Sequence, residues 1–233
     1  MQPEVSIAQG APNPQRAFYE YEADVYSITL ANEPAFRHRR DLVRRILPRV
    51  PLDAILDVGC GDGALAEDLR VQTGARVVGM DLAWKRAHRA KARVSDLPTL
   101  QGSSYKLPIR DRAFAMATCT DLLEHLDDPA LAMRELVRVS AQFVLVTVPY
   151  KIEIEKTLCP HCGDDYFLYG HQHSFGREGI EALARDAGAR VVRFEHLIPM
   201  FECRRYKWCP PLKWLIKDHF KDTGTLGALI ATS

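Results

Sequence analysis

Short apolar runs and amphipathic stretches take turns along most of this chain. Residues 54–58, 76–80 and 143–148 are nearly continuous apolar runs, the mark of strands buried on both faces. Residues 114–120 read as a further strand, and 99–101 as a short one before it. Between them, 64–72, 83–94 and 129–139 carry helical patterning, with Pro129 at a first helical position. Ahead of them, 33–47 reads as an amphipathic helix with a basic face, Arg37-His-Arg-Arg40 and Arg44-Arg45, closed by Pro48. That face is expected to be solvated. Residues 177–187 read as a helix closed by Gly188, 190–198 as a strand and 226–231 as the last strand. Alternation of this kind predicts an α/β fold with a doubly wound, parallel sheet. Two stretches interrupt it, 151–174 and 200–224. The first follows the fifth strand, at the sheet edge where substrates are selected, so it is the better candidate for acceptor recognition.

The first strand runs into Ile55-Leu-Asp-Val-Gly-Cys-Gly-Asp-Gly63, and the second ends in Val77-Val-Gly-Met-Asp81. A glycine turn after a buried strand lets backbone approach a ligand closely, and the second carboxylate suits the hydroxyls of a ribose. The spacing is D-x-G-x-G-x-G rather than the dinucleotide pattern G-x-G-x-x-G. Asp57 ahead of the glycines would repel a pyrophosphate and attract an ammonium. At these residues the chain resembles the class I S-adenosylmethionine (SAM)-dependent methyltransferases. The resemblance implies that Asp57, Gly59 and Gly61 hold the methionyl end of SAM and that Asp81 binds its ribose. It also carries over Leu82, Ser103, Ser104 and Thr120 as cofactor contacts, Ser103 standing where an Asp usually faces the adenine. Residues 114–126, with Asp121-Leu-Leu-Glu-His125, match a second segment of small-molecule members, with Ala115 in place of an Asp. The family fold implies a seven-stranded sheet with the last strand antiparallel. Residues 1–32 are then a tail and lid, 33–150 the SAM-binding core, 151–176 a Cys/His insertion, and 177–233 the rest of the core with its own insertion at 200–224.

Composition narrows the class. The chain has 233 residues, 47% of them hydrophobic, enough for one domain with a sizeable core. A net charge of +1 gives no general drive toward nucleic acid. No apolar run approaches the roughly 18 residues that span a bilayer, and the first residues do not read as a signal peptide, so a cytoplasmic location is expected. Six cysteines in such a chain point to metal or free thiols rather than disulfides.

Two clusters carry further chemistry. Glu124 and His125 follow the fourth strand, where an acceptor would sit. They can brace the loop, supply a general base, or hold a metal. The run resembles the E-x-x-E-H segment that, with a downstream His, binds a divalent metal in small-RNA 2′-O-methyltransferases and ubiquinone-pathway O-methyltransferases. Asp121 takes the place of the first Glu, and His171 or His173 is the distant candidate. Cys159-Pro-His-Cys162-Gly163, with His171 and His173 beyond it, has the ligand types of a structural zinc site. It also resembles a C-P-x-C-G…G-H-x-x-x-F segment of bacterial methyltransferases of envelope sugars and natural products. Cys203 and Cys209 are alternative thiolates, and His171 and His173 cannot serve both clusters. Residues 206–220 mix aromatics with lysines and read as a lid. The expected activity is SAM-dependent O-methylation of a small molecule, a sugar or secondary metabolite. The alternatives are RNA ribose 2′-O-methylation with a divalent metal and a SAM-binding zinc module that transfers nothing.

Overall fold

The structure is a computed structural model that describes residues 34–158, 163–197 and 224–232, with Arg16, Tyr19, Glu20, Tyr21 and Ala23 of an earlier helical segment. The expected cysteine pairs Cys159/Cys162 and Cys203/Cys209, the segment 206–220 and Met1–Gln15 lie outside the described residues.

Helix α1, Pro34–Ile46, opens the core and has Arg44 and Arg45 in its last turn, where cations suit the helix dipole. Strand β1, Ala54–Val58, is buried along its whole length. Helix α2, Ala64–Thr73, ends at Gly74, whose left-handed backbone returns its N–H to the Arg70 carbonyl. Strand β2 (Arg76–Asp81), helix α3 (Trp84–Arg93) and strand β3 (Thr99–Gln101) follow. Strand β4 is Phe114–Thr120, and helix α4, Pro129–Val139, is capped by Asp128, which accepts the Leu131 N–H at 2.8 Å. Strand β5 spans Ser140–Pro149, longer at both ends than its apolar run. A small hairpin, β6 (Lys156–Leu158) with β7 (Asp165–Phe167), precedes helix α5 (Arg177–Asp186), and β8 (Arg190–Leu197) and β9 (Thr225–Ala231) complete the chain.

The main sheet has seven strands in the order β3-β2-β1-β4-β5-β9-β8. β1 to β5 are mutually parallel, and β9 runs antiparallel between β5 and β8. Alternation along the strands feeds two cores. Leu56, Val58, Val144 and Val146 join Met133 and Leu136 of α4 and Ile180 of α5 on one face. Ile55, Val77 and Leu145 join Ile46 of α1, Leu65 and Leu69 of α2 and Ala90 of α3 on the other. The architecture expected from the alternation and the family resemblance is therefore present, antiparallel last strand included. The β6–β7 hairpin is not anticipated, because each of its strands is only three residues long.

The order reverses between β1 and β4. The chain winds outward from β1 to β2 and β3, then returns to β4, leaving a crevice at the C-terminal ends of the strands. The insertion leaves the sheet and returns at the same place. Tyr150 bridges Phe175, and the Lys151 N–H donates to the Phe175 carbonyl at 2.9 Å.

α1 reaches its seat on the sheet through Gly227 of β9. A Cβ there would lie 3.2 Å from Leu42 Cγ and 3.3 Å from Ile46 Cδ1. Gly227→Val is therefore expected to lower unfolding stability in urea by about 1–3 kcal/mol through overpacking. No loss would mean that α1 is free to lift from the sheet.

Candidate active site

The crevice is lined by carboxylates that the strand ends bring inward. Asp57 sits on β1 and is 1% exposed. Its Oδ1 accepts the Thr118 hydroxyl of β4 at 2.7 Å, while its Oδ2 is buried with no partner among the described residues. Burial pushes its pKa up to about 6, with Asp81 adding to the rise and Thr118 and Arg39 opposing it. Asp81, at the end of β2, accepts the backbone N–H groups of Gly61 and Ala83, each at 3.0 Å. Burial raises its pKa too, eased by Arg86 and those two N–H groups. Gly59 lies between the strands at φ 78°, and a Cβ there would sit 3.1 Å from Leu122 beyond β4. The turn thus needs glycine for both conformation and space.

The remaining cofactor candidates lie along the same edge. Leu82 accepts the Gln101 side-chain amide through its carbonyl at 3.1 Å. Ser103 bridges Lys106, and its hydroxyl accepts the Tyr105 N–H at 3.3 Å. Ser104 and Thr120 are half-buried, Thr120 closing β4. Glu20 of the N-terminal segment reaches the same rim, accepting the N–H groups of Trp84 and Lys85 at 2.7 and 3.1 Å. It thereby caps α3 beside Asp81.

Beyond β4 the chain turns sharply at Asp121, whose φ is 46°. Asp121 is not free to join a metal cluster. Arg39 of α1 donates to its Oδ2 at 2.6 Å, and Thr147 donates to its Oδ1 at 2.8 Å. The basic face of α1 is correspondingly not a bare solvated face, since Arg44 also pairs with Asp68. A 3-10 turn, Leu123–His125, then buries Glu124 to 1% exposure with both carboxylate oxygens unpartnered among the described residues. Burial, reinforced by Asp121, pushes the Glu124 pKa well above the ordinary carboxylate value.

The insertion closes over this turn. Gln172 and His173 donate their backbone N–H groups to the Glu124 carbonyl at 2.8 and 3.2 Å. The Gln172 amide donates to the His125 carbonyl at 3.1 Å and to Asp127 at 3.1 Å, and His173 Nε2 donates to the Leu126 carbonyl at 2.8 Å. His125 Nδ1 lies 3.2 Å from the Gly170 carbonyl, which can only accept. Its proton is therefore on Nδ1, and the Nε2 lone pair lies 3.9 Å from Glu124 Oε1. Burial and the neighbouring His171 lower the His125 pKa to about 4, so the ring is neutral near pH 7. Gly170 permits the approach, for a Cβ there would come within 3.3 Å of His125 Nδ1.

Glu124, His125 and His171 offer three ligand atoms within 4.8 Å of one another. His171 thus stands with the acid and His125, at a ring separation of 4.9 Å, while His173 is committed through Nε2 to Leu126. Cys159 and Cys162 lie outside the described residues, so their pairing with either histidine has no geometry here. Asp57, Asp81, Glu124, His125 and His171, singled out in the sequence, all lie along this edge, and Arg39, Thr118, Thr147, Gln172 and Glu20, which the sequence did not single out, reach it from elements that meet only in space.

The fold, with its reversed last strand and its crevice between β1 and β4, is that of the class I SAM-dependent methyltransferases. It is shared by the S-adenosylmethionine dependent methyltransferase from Mesorhizobium loti, 16% identical, with a TM-score of 0.62 over 87% of this chain and 100% of that one. Residues 56–142 match the model of a methyltransferase domain. A ubiquinone biosynthesis O-methyltransferase of Pseudomonas paraeruginosa is 35% identical over 154 residues, 59% of this chain and 64% of the relative. An uncharacterized 37.1 kDa protein in transposon TN4556 of Streptomyces fradiae is 28% identical over 182 residues, 71% of this chain and 52% of its own. The chain spans 34% to 64% of the length of the first curated relatives it matches. Among the described residues no helix is long and apolar enough to cross a membrane.

Glu124 gives a direct test of this electrostatic picture. A carboxyl whose folded pKa is raised binds its proton more tightly folded than unfolded, so it lowers stability as pH rises through and above its ordinary value. Glu124→Met removes the unpartnered carboxyl at similar volume. It is expected to raise unfolding stability at pH 8 by about 1–3 kcal/mol. Destabilisation instead would show that Glu124 has a partner holding it ionised.

Proposed function

We propose that this protein is a SAM-dependent methyltransferase that methylates a hydroxyl of a small-molecule acceptor. The observation that carries the reading is the unpartnered, buried Asp57 Oδ2 beside the glycine turn, with Asp81 on the neighbouring strand. A cationic amino-acid end suits Asp57, and lone pairs remain on Asp81 for ribose hydroxyls. SAM, when bound, would supply a sulfonium methyl for in-line transfer to the acceptor oxygen, the C–S electron pair leaving with sulfur. Gly59 and Gly61 give the backbone clearance for close approach. His125 accepts the acceptor's proton at Nε2, the nitrogen left bare by its Nδ1–H bond to Gly170. Glu124 Oε1 lies 3.9 Å from that nitrogen. The rest is positioning, which the doubly held turn at 121–125 provides.

A second reading, RNA ribose 2′-O-methylation with a divalent cation, is favoured by the cluster Glu124, His125 and His171. Its donor set suits such a cation, and His125 already donates its second ring N–H to a carbonyl, as metal-bound histidines do. The formal net charge of +1 weighs against RNA as the substrate. A structural zinc on Cys159 and Cys162 is a separate part of our proposal. Elemental analysis of protein purified without added metal is expected to give about one zinc per chain. The double Cys159→Ser, Cys162→Ser variant should lose it, and Glu124→Gln should keep it. The reverse pattern would assign the metal to the Glu124 cluster and favour the second reading.

Calorimetry with SAM tests the first reading. Binding the ammonium requires ionised Asp57, so SAM is expected to bind about tenfold more tightly at pH 7 than at pH 5, levelling off above about 6. Asp81→Ala should weaken binding by about 1–3 kcal/mol. Folded protein that binds no SAM would end the reading. SAM binding without S-adenosylhomocysteine (SAH) release in the presence of any hydroxyl acceptor would favour a module that transfers nothing.

A further inference from the structure

We infer that Glu20 is a positioning residue for cofactor binding: by accepting the first two N–H groups of α3 it leaves Asp81 in the orientation that serves the cofactor ribose. The inference rests on the SAM reading above and deepens it, since it adds a residue that acts on the cofactor through Asp81.

Helix α3 lacks the groups that ordinarily close a helix N-terminus. Its cap position is Ala83, whose side chain accepts no hydrogen bond, and its first turn holds no acidic residue. Lys85 and Arg86 stand there instead, at the end of the helix dipole that disfavours cations. The whole of Trp84–Arg93 contains no carboxylate. N–H groups at such an end have no acceptor within the helix. Glu20, 64 residues earlier in the chain, provides one. The Trp84 N–H donates to its Oε1 at 2.7 Å and the Lys85 N–H to its Oε2 at 3.1 Å, one oxygen for each.

Asp81 takes the preceding N–H of the same run. Its Oδ1 accepts from Ala83 at 3.0 Å, and its Oδ2 accepts from Gly61 of the glycine turn at 3.0 Å. The consecutive N–H groups of residues 83, 84 and 85 are thus divided between two carboxylates, one from β2 and one from the N-terminal segment. Without Glu20, the N–H groups of Trp84 and Lys85 would draw the carboxylate already at this turn. An aspartate turned toward them leaves Gly61 and loses the orientation in which its remaining lone pairs serve a ribose.

The N-terminal segment is held where this division needs it. Ala23 is buried, and the Arg86 guanidinium of α3 lies over the Tyr19 ring, 4.9 Å from its centroid. Burial raises the Asp81 pKa, and Arg86 is the largest influence opposing that rise. Tyr19 and Glu20 therefore grip, side by side, the guanidinium and the backbone that adjoin Asp81. The charge of Glu20 works the other way, adding to the rise that burial begins. Its contribution is therefore the placing of acceptor oxygens, which a neutral side chain of the same length can largely reproduce.

The test is a double-mutant cycle on the whole chain, read by calorimetry with SAH. Glu20→Ala is expected to weaken SAH binding about five- to tenfold, within the range that loss of a helix cap produces. Glu20→Gln keeps one acceptor oxygen and drops the charge, and should stay within about threefold of the unaltered protein. In the Asp81→Ala background, Glu20→Ala should change SAH affinity by less than about twofold, because the carboxylate it acts through is gone. A cap that served only the stability of α3 would weaken binding equally in both backgrounds. Equal losses in the two backgrounds, an indifferent Glu20→Ala, or a Glu20→Gln as weak as Glu20→Ala overturns the inference and leaves the SAM reading standing. Failure of the unaltered chain to bind SAH overturns both.

Discussion

Negative charge buried at the C-terminal edge of one parallel sheet is the constraint on which this structure depends. Asp57, Asp81 and Glu124 are each almost wholly shielded from water, and burial is the leading cause of the raised pKa in all three. A protein selected only for stability would fill these positions with apolar side chains. The parallel sheet makes the arrangement tolerable, because strand ends deliver backbone N–H groups and hydroxyls from neighbouring strands, as Gly61, Ala83 and Thr118 do. What they do not supply is enough positive charge. Arg39 acts on Asp57 and Glu124 from a distance while its guanidinium is bound to Asp121. A ligand carrying an ammonium and a sulfonium would meet this deficit, so the electrostatics of this edge favour a cation over a pyrophosphate.

The same edge explains why the helix ahead of the sheet and the insertion after it matter. The turn at 121–125 begins with a strained aspartate and ends with a buried acid and a histidine of fixed tautomer. It would not hold by itself. Arg39 grips it from α1, and the backbone of 170–173 grips it from the insertion. Changes in either element therefore reach Glu124 and His125 through the orientation of one short turn. Thr147 ties the same aspartate to β5.

Much of this was readable in the sequence, and the boundary is physical. Apolar runs revealed the buried strands because a strand covered by helices on both faces has no polar side to show. β5 still extends past its run, since backbone pairing with β9 continues to Pro149 where hydropathy no longer requires it. The glycine turn and its two aspartates were legible because close backbone approach restricts the choice of residue. Arg39 was not: a guanidinium on an exposed-looking helix face has the same sequence signature whether it meets water or Asp121. The same holds for Gln172, and for the three-residue hairpin strands, too short to show a period. Of the paired histidines, spacing alone offered two competing uses. Only the return of the insertion onto Glu124 separates His171, beside His125, from His173, tied to Leu126.

That separation carries a last consequence for how the insertion is built. Its base is fixed by Tyr150, Lys151 and Phe175, and its returning limb is fixed by hydrogen bonds to residues 124–127. Besides the backbone N–H groups of Gln172 and His173, the Gln172 amide and the His173 ring make these bonds, so the path of the limb depends on those side chains as well as on backbone. Tyr169 and His171 lie on the same limb with ring centroids 6.0 Å apart, and the hairpin β6–β7 precedes it. The segment after β5 therefore holds the turn at 121–125 through both backbone and side chains, and a change at Gln172 or His173 alone is enough to reach that turn.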